Sequence, residues 1–526
     1  MSRPPHAPPP TASESDWRVA LYLWGFALAL YLVGAGGHFY ASDDQQKFEA
    51  LRTLMTEGSW TWPGGWGTGQ AGQPVSWFSL GASLVMLPGF LLGAVLSGAS
   101  PQFSADDWQR GVIAFQNCVI SASLLAISYL GARRLNFAPR TALTGAIVLG
   151  FCTIIWPYAK TSWSEPAATL ALFAGALSLC EHVGHARAST LRGAWLAGAL
   201  MAIACLIRTE YLIAVTGMLI AAFSIARHRP NVSVKTWQAI GWPLLAALAI
   251  HAGYEWVRHG SPLAFPNYWM PQAALTQPRA WRACENLYLA LLSPNQGFFW
   301  YSPPLLLALC GWPRFRQRLP DVAWIWWGGL FPLALFYLVG WGTSTWAWGL
   351  RYGYVFVPFL LMPVLSWYET GRNRLAKALL VAGCGVQVLA WPFDFGYLYL
   401  DALNLQKFET IEQVRTVPSH APLRLAWDRW PSSLKEAREA FAAPPSDAPA
   451  IQAMREARVH FVPDTWWMLL RRTSFPRAPL DGVPLALLAV AVYCGWRAAR
   501  LTQPSDAWRS PPGSSQAGSP PQSGCR

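Results

Sequence analysis

Apolar runs long enough to cross a bilayer alternate with short polar connections along most of this chain. They cover 17–36, 110–131, 141–159, 165–182, 191–207, 210–227, 235–254, 298–312, 322–341, 352–369, 375–392 and 482–499. Crossing roughly 30 Å of hydrocarbon takes about 20 residues in a helix, because lipid offers the backbone no hydrogen-bond partner. The pattern predicts an all-α polytopic membrane protein with about 12 transmembrane helices (11–13) and outward-facing juxtamembrane helices. The stretch 77–97 is also apolar but carries Pro88 and several glycines and serines, and it reads as lying along or dipping into the outer face.

Orientation follows from the basic residues. Arg133, Arg134 and Arg140 share one connection; Arg187 and Arg192 the next but one; then Arg227, Arg229 and Lys235; Arg314, Arg316 and Arg318; and Arg372, Arg374 and Lys377. Every second loop is basic, as cytoplasmic loops are. The other side then receives Asp43/Asp44, Asp106/Asp107, Lys160/Glu165, Arg208/Glu210, 255–297, Arg351 and 393–481. Composition agrees: 53% of the 526 residues are hydrophobic and only 13% charged, and 31 Trp suit two interfacial belts. The net charge of +13 is accounted for by cytoplasmic loops and calls for no nucleic acid. Seven of the nine cysteines fall within spans, Cys525 lies in the tail and Cys284 alone faces outward, so no outward disulfide is expected. The Pro/Ser-rich segments 1–16 and 500–526 read as disordered cytoplasmic tails.

The outward loops carry the chemistry. Ser42-Asp43-Asp44-Gln45 places two adjacent carboxylates past the first span; Ser42 with Gln45 fits a capping box, and Phe48, Leu51 and Met55 recur on one helical face. Such a pair could cap the helix, take a proton or hold a metal. Lys160-Thr161-Ser162-Trp163-Ser164-Glu165-Pro166 joins two spans, offering a cation for a phosphate and a carboxylate to orient it or bind a metal, or else a local ion pair. Arg208-Thr209-Glu210 reads first as a structural Arg–Glu pair. In Trp341–Gly353, glycines allow close approach and Arg351 offers a planar fork that suits phosphate oxygens.

Taken in order, the acidic pair after the first span, the Lys-x-x-x-x-Glu-Pro loop, Ser293–Pro304 opening a later span and Arg351-Tyr352 opening another resemble the GT-C membrane glycosyltransferases. The branch is that of bacterial relatives of protein O-mannosyltransferases and aminoarabinose transferases, and the resemblance covers roughly 17–400. It implies a catalytic transmembrane domain over 17–392, with a first outward loop at 37–109. It further implies transfer of a sugar from a polyprenyl-phosphate carrier to a lipid, glycan or protein acceptor, with inversion, at the outer face of a bacterial inner membrane. Asp43 or Asp44 would be the general base and Arg351, then Lys160, the phosphate ligands. Glu165, Arg208 and Glu210 would contact acceptor or metal, and a divalent cation could assist. Aminoarabinose-type members carry a lysine after the first surface helix where Gln73–Phe78 has none, which argues against that sugar. The stretch 393–481, including a weakly helical segment around Leu434–Phe441 and the run Phe461–Trp467, reads as an outward subdomain before a last span at 482–499. A transporter is the rival reading, disfavoured because the ionisable residues gather at one face and no repeat relates the halves.

Overall fold

The computed structural model describes residues 13–99, 102–183, 190–227, 229, 232–262, 279–341, 347–371, 373–404 and 417–503. Residues 342–346 of the aromatic-glycine stretch, Arg187, Arg372, Cys525 and most of both tails lie outside them. The described residues are mostly helical, and the short strands Gly67–Thr68 and Pro74–Val75 pair antiparallel in the stretch between the first two membrane-length helices.

Helices occupy each of the twelve apolar runs. Five of them are long and apolar enough to cross a membrane: Glu14–Gly34, Ala105–Arg134, Ser164–Val183, Pro320–Val339 and Arg477–Leu501. A sixth arises if Arg374–Ala390 and Phe395–Asp401, bent by 72°, count as one. Shorter runs fall below that length for visible reasons. The run at 298–312 breaks into Phe298–Tyr301, a 3₁₀ turn Pro303–Leu306 and Leu307–Arg318, because Pro303 and Pro304 each lack a backbone donor. The stretch at 77–97 breaks into Leu80–Leu84 and Leu87–Leu96. Gly81 there lies so close to the backbone of Leu206 that a Cβ would sit 2.4 Å from its carbonyl oxygen, which wedges this segment against the end of Leu191–Ile207.

Three expectations are corrected. The first helix begins at Glu14 with Ser13 and Asp16 forming a capping box, so the N-terminal tail ends before residue 16. Ser42 caps nothing: the cap position is Ala41, and Gln45 turns instead to Glu49 at 2.7 Å. The segment around Leu434–Phe441 is the end of a 21-residue helix, Pro422–Ala442, whose apolar face docks on the spans and supplies stability its own propensity lacks.

Ion pairs sort the two ends of the bundle. Arg133–Asp16 at 2.7 Å, Arg134–Glu181 at 2.9 Å and Arg318–Glu369 at 2.6 Å join the basic connections at one end. Glu165 opens Ser164–Val183 and Glu181 nearly closes it, which puts the groups around Glu165 about 24 Å away at the other end. The surface helix Ser42–Glu57 is fixed at that end by a small core of Phe48, Leu51, Met86, Phe90 and Ile113. Burying Phe48 and Leu51 contributes about 1.5–3 kcal/mol each. Met55, at the far end of the same face, is 47% exposed.

Candidate functional site

The first turn of Ser42–Glu57 points its two carboxylates apart, since neighbours on a helix are about 100° around the axis from one another. Asp44 faces inward and is fully buried. Lys47, one turn on, donates to Asp44 at 2.8 Å and to the carbonyl of Ser162 at 2.9 Å, with its ammonium 5.7 Å from the Phe78 ring. Burial pushes the Asp44 carboxyl above its ordinary range, and Lys47 pulls it back only in part. Asp43 faces the other way. Its side chain keeps 22% exposure and pairs with Arg351 at 2.8 Å.

Arg351 opens a 3₁₀ turn, Arg351–Phe356. Two residues earlier Gly349 adopts φ +75° where a Cβ would sit 2.6 Å from Tyr301, so the chain reaches Arg351 by a path only glycine permits. The guanidinium lies 4.3 Å over the Trp163 ring and donates to Glu165 at 2.7 Å. Glu165, in the first turn of Ser164–Val183, also accepts from Arg208 at 2.5 Å. Arg208 leaves the end of Leu191–Ile207 in extended conformation and donates to Glu210 at 2.7 Å. Tyr337 closes the row: its hydroxyl reaches Glu210 at 3.4 Å, and its ring stacks on Tyr352 at 5.3 Å. Thus Asp43, Arg351, Glu165, Arg208 and Glu210 form one continuous chain of ion pairs contributed by four separate connections. Only its Asp43 end opens appreciably to solvent.

This chain holds two guanidiniums against three carboxylates, while Lys47 and Asp44 beside it neutralise each other. Glu165 and Glu210 both turn to Arg208, and no group of three or more His, Cys, Asp or Glu side chains is disposed to hold a metal among the described residues.

Lys160 does not join this group. Its amine is enclosed by the carbonyls of Ala390, Trp391 and Phe393 and by Asp464 at 3.2 Å. Asp464 accepts in turn from Tyr40 and lies 2.7 Å from His38, while Arg458 meets Asp394 at 3.3 Å. Burial alone would push the Asp464 carboxyl up, but His38 and Lys160 outweigh it and hold it well below the usual carboxylate range. Burial raises Asp394, and the Asp464 charge adds to that. This second cluster clasps the segment after 417 onto the ends of the first and third spans.

Sequence reasoning passed over Lys47, three residues from Asp44 on the same helical face, although that spacing was a usable signal. It also passed over His38, Tyr40, Asp394 and Arg458, which are far apart in sequence and carry no local pattern. The segment Gln73–Phe78, without its lysine, receives a cation from elsewhere: Arg258 donates to the carbonyls of Phe78, at 3.2 Å, and Ser76.

No protein-family model matches the chain, and no curated protein matches it. Among solved structures it is similar to ArnT from Cupriavidus metallidurans bound to undecaprenyl phosphate, with 13% identity and a TM-score of 0.42 over 91% of this chain and 87% of that one. It is also similar to the archaeal oligosaccharyltransferase AglB from Archaeoglobus fulgidus, in complex with an inhibitory peptide and a dolichol-phosphate. There the identity is 13% and the TM-score 0.40, over 85% of this chain and 60% of that one. At such identities and scores neither chain assigns a role to any residue here.

Proposed function

We propose that this chain is a multi-pass membrane glycosyltransferase that moves a sugar from a polyprenyl-phosphate donor to an acceptor hydroxyl at the outer face of a bacterial inner membrane. The observation that carries the reading is the ion-pair chain, which joins three of the motifs behind the GT-C resemblance and ends in a solvent-accessible carboxylate.

In this mechanism Asp43 is the general base. The acceptor oxygen forms a bond to the anomeric carbon while the bond from that carbon to the phosphate oxygen breaks, its electron pair staying on the phosphate. Attack from the side opposite the leaving group inverts the centre. The hydroxyl proton passes to Asp43, which becomes neutral and releases its hold on Arg351. The freed arm of the guanidinium then meets the phosphate as its negative charge grows, where stabilisation is most effective. Glu165 and Arg208 hold Arg351 in place, and Lys47 keeps Asp44 from competing for it. Lys160 ties the outward segment down rather than binding donor.

The test is transfer from radiolabelled polyprenyl-phosphate sugars in membranes holding wild type, Asp43→Asn, Asp44→Asn or Arg351→Ala at matched abundance. Asp43→Asn is expected to lose about 10²–10⁴-fold in rate, the usual contribution of a positioned base. Wild-type rates in Asp43→Asn would overturn the assignment, and no donor consumed by wild type would overturn the reading itself.

A further inference from the structure

The helix Pro422–Ala442 has a face that the described residues leave largely uncovered. Its inward row, Ala426, Trp430, Ser433, Ala437 and Ala440, packs on the spans and on a small core with Met468 and Leu469. Arg424, Asp428, Lys435 and Glu439 form the opposite, charged row, paired at 3.1 Å and 3.7 Å. Between the two rows, about a quarter turn from the inward one, Trp427, Leu434 and Phe441 recur at i, i+7 and i+14. They are 64, 59 and 50% exposed. Phe441 carries the Arg471 guanidinium 4.1 Å over its ring.

The supports of this helix set its height. Just ahead of its start, the carbonyl of Val417 accepts from Asn295, in the loop that leads into Phe298–Tyr301, at 2.7 Å. At its middle Trp430 meets Phe393, 6.2 Å between rings, at the bend after Asn373–Ala390. Beyond its end the carbonyl of Ala443 accepts at 3.0 Å from Arg477, the first residue of Arg477–Leu501. All three supports are the ends of helices on one side of the bundle, and one of these helices, Arg477–Leu501, is long and apolar enough to cross a membrane. The helix therefore runs level with those ends instead of rising away from them, and its exposed stripe, about 21 Å long, runs with it.

We infer that Pro422–Ala442 is an interfacial helix whose Trp427–Leu434–Phe441 flank is covered by lipid of the same leaflet, at the depth where headgroups meet acyl chains. A stripe that is apolar on one flank and charged on the next is the pattern such helices show, and Trp is favoured at that depth. This assignment does not depend on the transferase reading.

A nitroxide on a genetically encoded keto side chain, which leaves the nine native cysteines in place, tests it in bilayer nanodiscs. Labels go singly at 427, 434 and 441, at 428, 435 and 439, and at Val492, a 73% exposed position on the last span that serves as the lipid reference. Relaxation by dissolved oxygen and by a water-soluble nickel chelate is compared. The inference expects oxygen to dominate at 427, 434 and 441, as at 492, and nickel to dominate at 428, 435 and 439. Nickel access at all six positions would overturn it in favour of an open aqueous cleft. Low access to both probes at the apolar three would overturn it in favour of a covering protein.

Discussion

Replacing Lys47 by Met is the most informative perturbation of the site's framework. Lys47 and Asp44 are each fully buried and 2.8 Å apart, and the second oxygen of Asp44 has no hydrogen-bond partner in the structure. Removing the lysine strands a charge out of water, which costs about 3–5 kcal/mol, whereas removing both charges of a buried pair is often near neutral. Asp44→Asn with Lys47→Met should therefore cost well under the sum of the single changes, with a coupling approaching ~3 kcal/mol. The pH dependence has a definite sign. Asp44 already titrates above its ordinary value, and without Lys47 it titrates higher still. A group raised on folding contributes its stability below the unfolded pKa and loses it as pH rises through the folded one. The Lys47→Met deficit should be complete only above the raised folded pKa of Asp44 and shrink as pH falls from there toward about 4, while the double variant shows little such trend. Unfolding in mixed detergent micelles across pH measures both. A deficit below about 1 kcal/mol, the range of an exposed pair, or strict additivity would refute the reasoning.

Glu165→Gln removes the link between two guanidiniums that keep Asp43 and Glu210 as partners, and should lower stability by about 1.5–3 kcal/mol as well as transfer; a fully stable, active variant would count against the ion-pair chain as a framework. Asp464→Asn should loosen the segment 417–474, read as faster amide exchange over Ala450–Leu470. Because Asp464 is held below the usual range, its contribution to the clasp is kept above about pH 4 and lost only as pH falls further, so the difference in protection between wild type and Asp464→Asn should persist from neutral pH to about pH 5. Cys284, exposed and expected on the outer side, should react with a membrane-impermeant maleimide in intact cells; labelling only after permeabilisation would invert the orientation.

Much of the architecture is written in local patterns, and these were legible. Apolar runs of bilayer length predict helices because lipid leaves the backbone no alternative, and a helix occupies each run that was picked out. The proline pair at 303–304 and the break near Val85 show where length alone misleads. Site residues at span ends were legible for the same reason: Asp43, Glu165, Arg208, Glu210 and Arg351 each stand out against apolar neighbours. Their assembly was not. Nothing in the sequence says that Arg351 lies between Asp43 and Glu165, or that Lys160 turns to Asp464, 304 residues away. Local rules also misassigned Ser42, whose spacing to Gln45 matches a capping box while the chain starts the helix one residue earlier.

The surplus carboxylate leads to a prediction that separates binding from chemistry. As the site stands, Arg351 is occupied by Asp43 on one arm and Glu165 on the other, so a phosphate must displace a carboxylate to reach it. Neutralising Asp43 removes that competitor without touching the guanidinium. A hydrogen bond to a charged group contributes about 1.5–3 kcal/mol, and tenfold in affinity corresponds to about 1.4 kcal/mol. Asp43→Asn should therefore bind polyprenyl phosphate roughly 10- to 100-fold tighter than wild type while failing to transfer sugar. Arg351→Ala should lose both. Competition by unlabelled polyprenyl phosphate against a fluorescent analogue in detergent gives the affinities. If Asp43→Asn binds the lipid no better than wild type, Arg351 is not the phosphate ligand and the ion-pair chain is a structural brace. If it binds better and still transfers, Arg351 keeps its role and the base must be sought elsewhere.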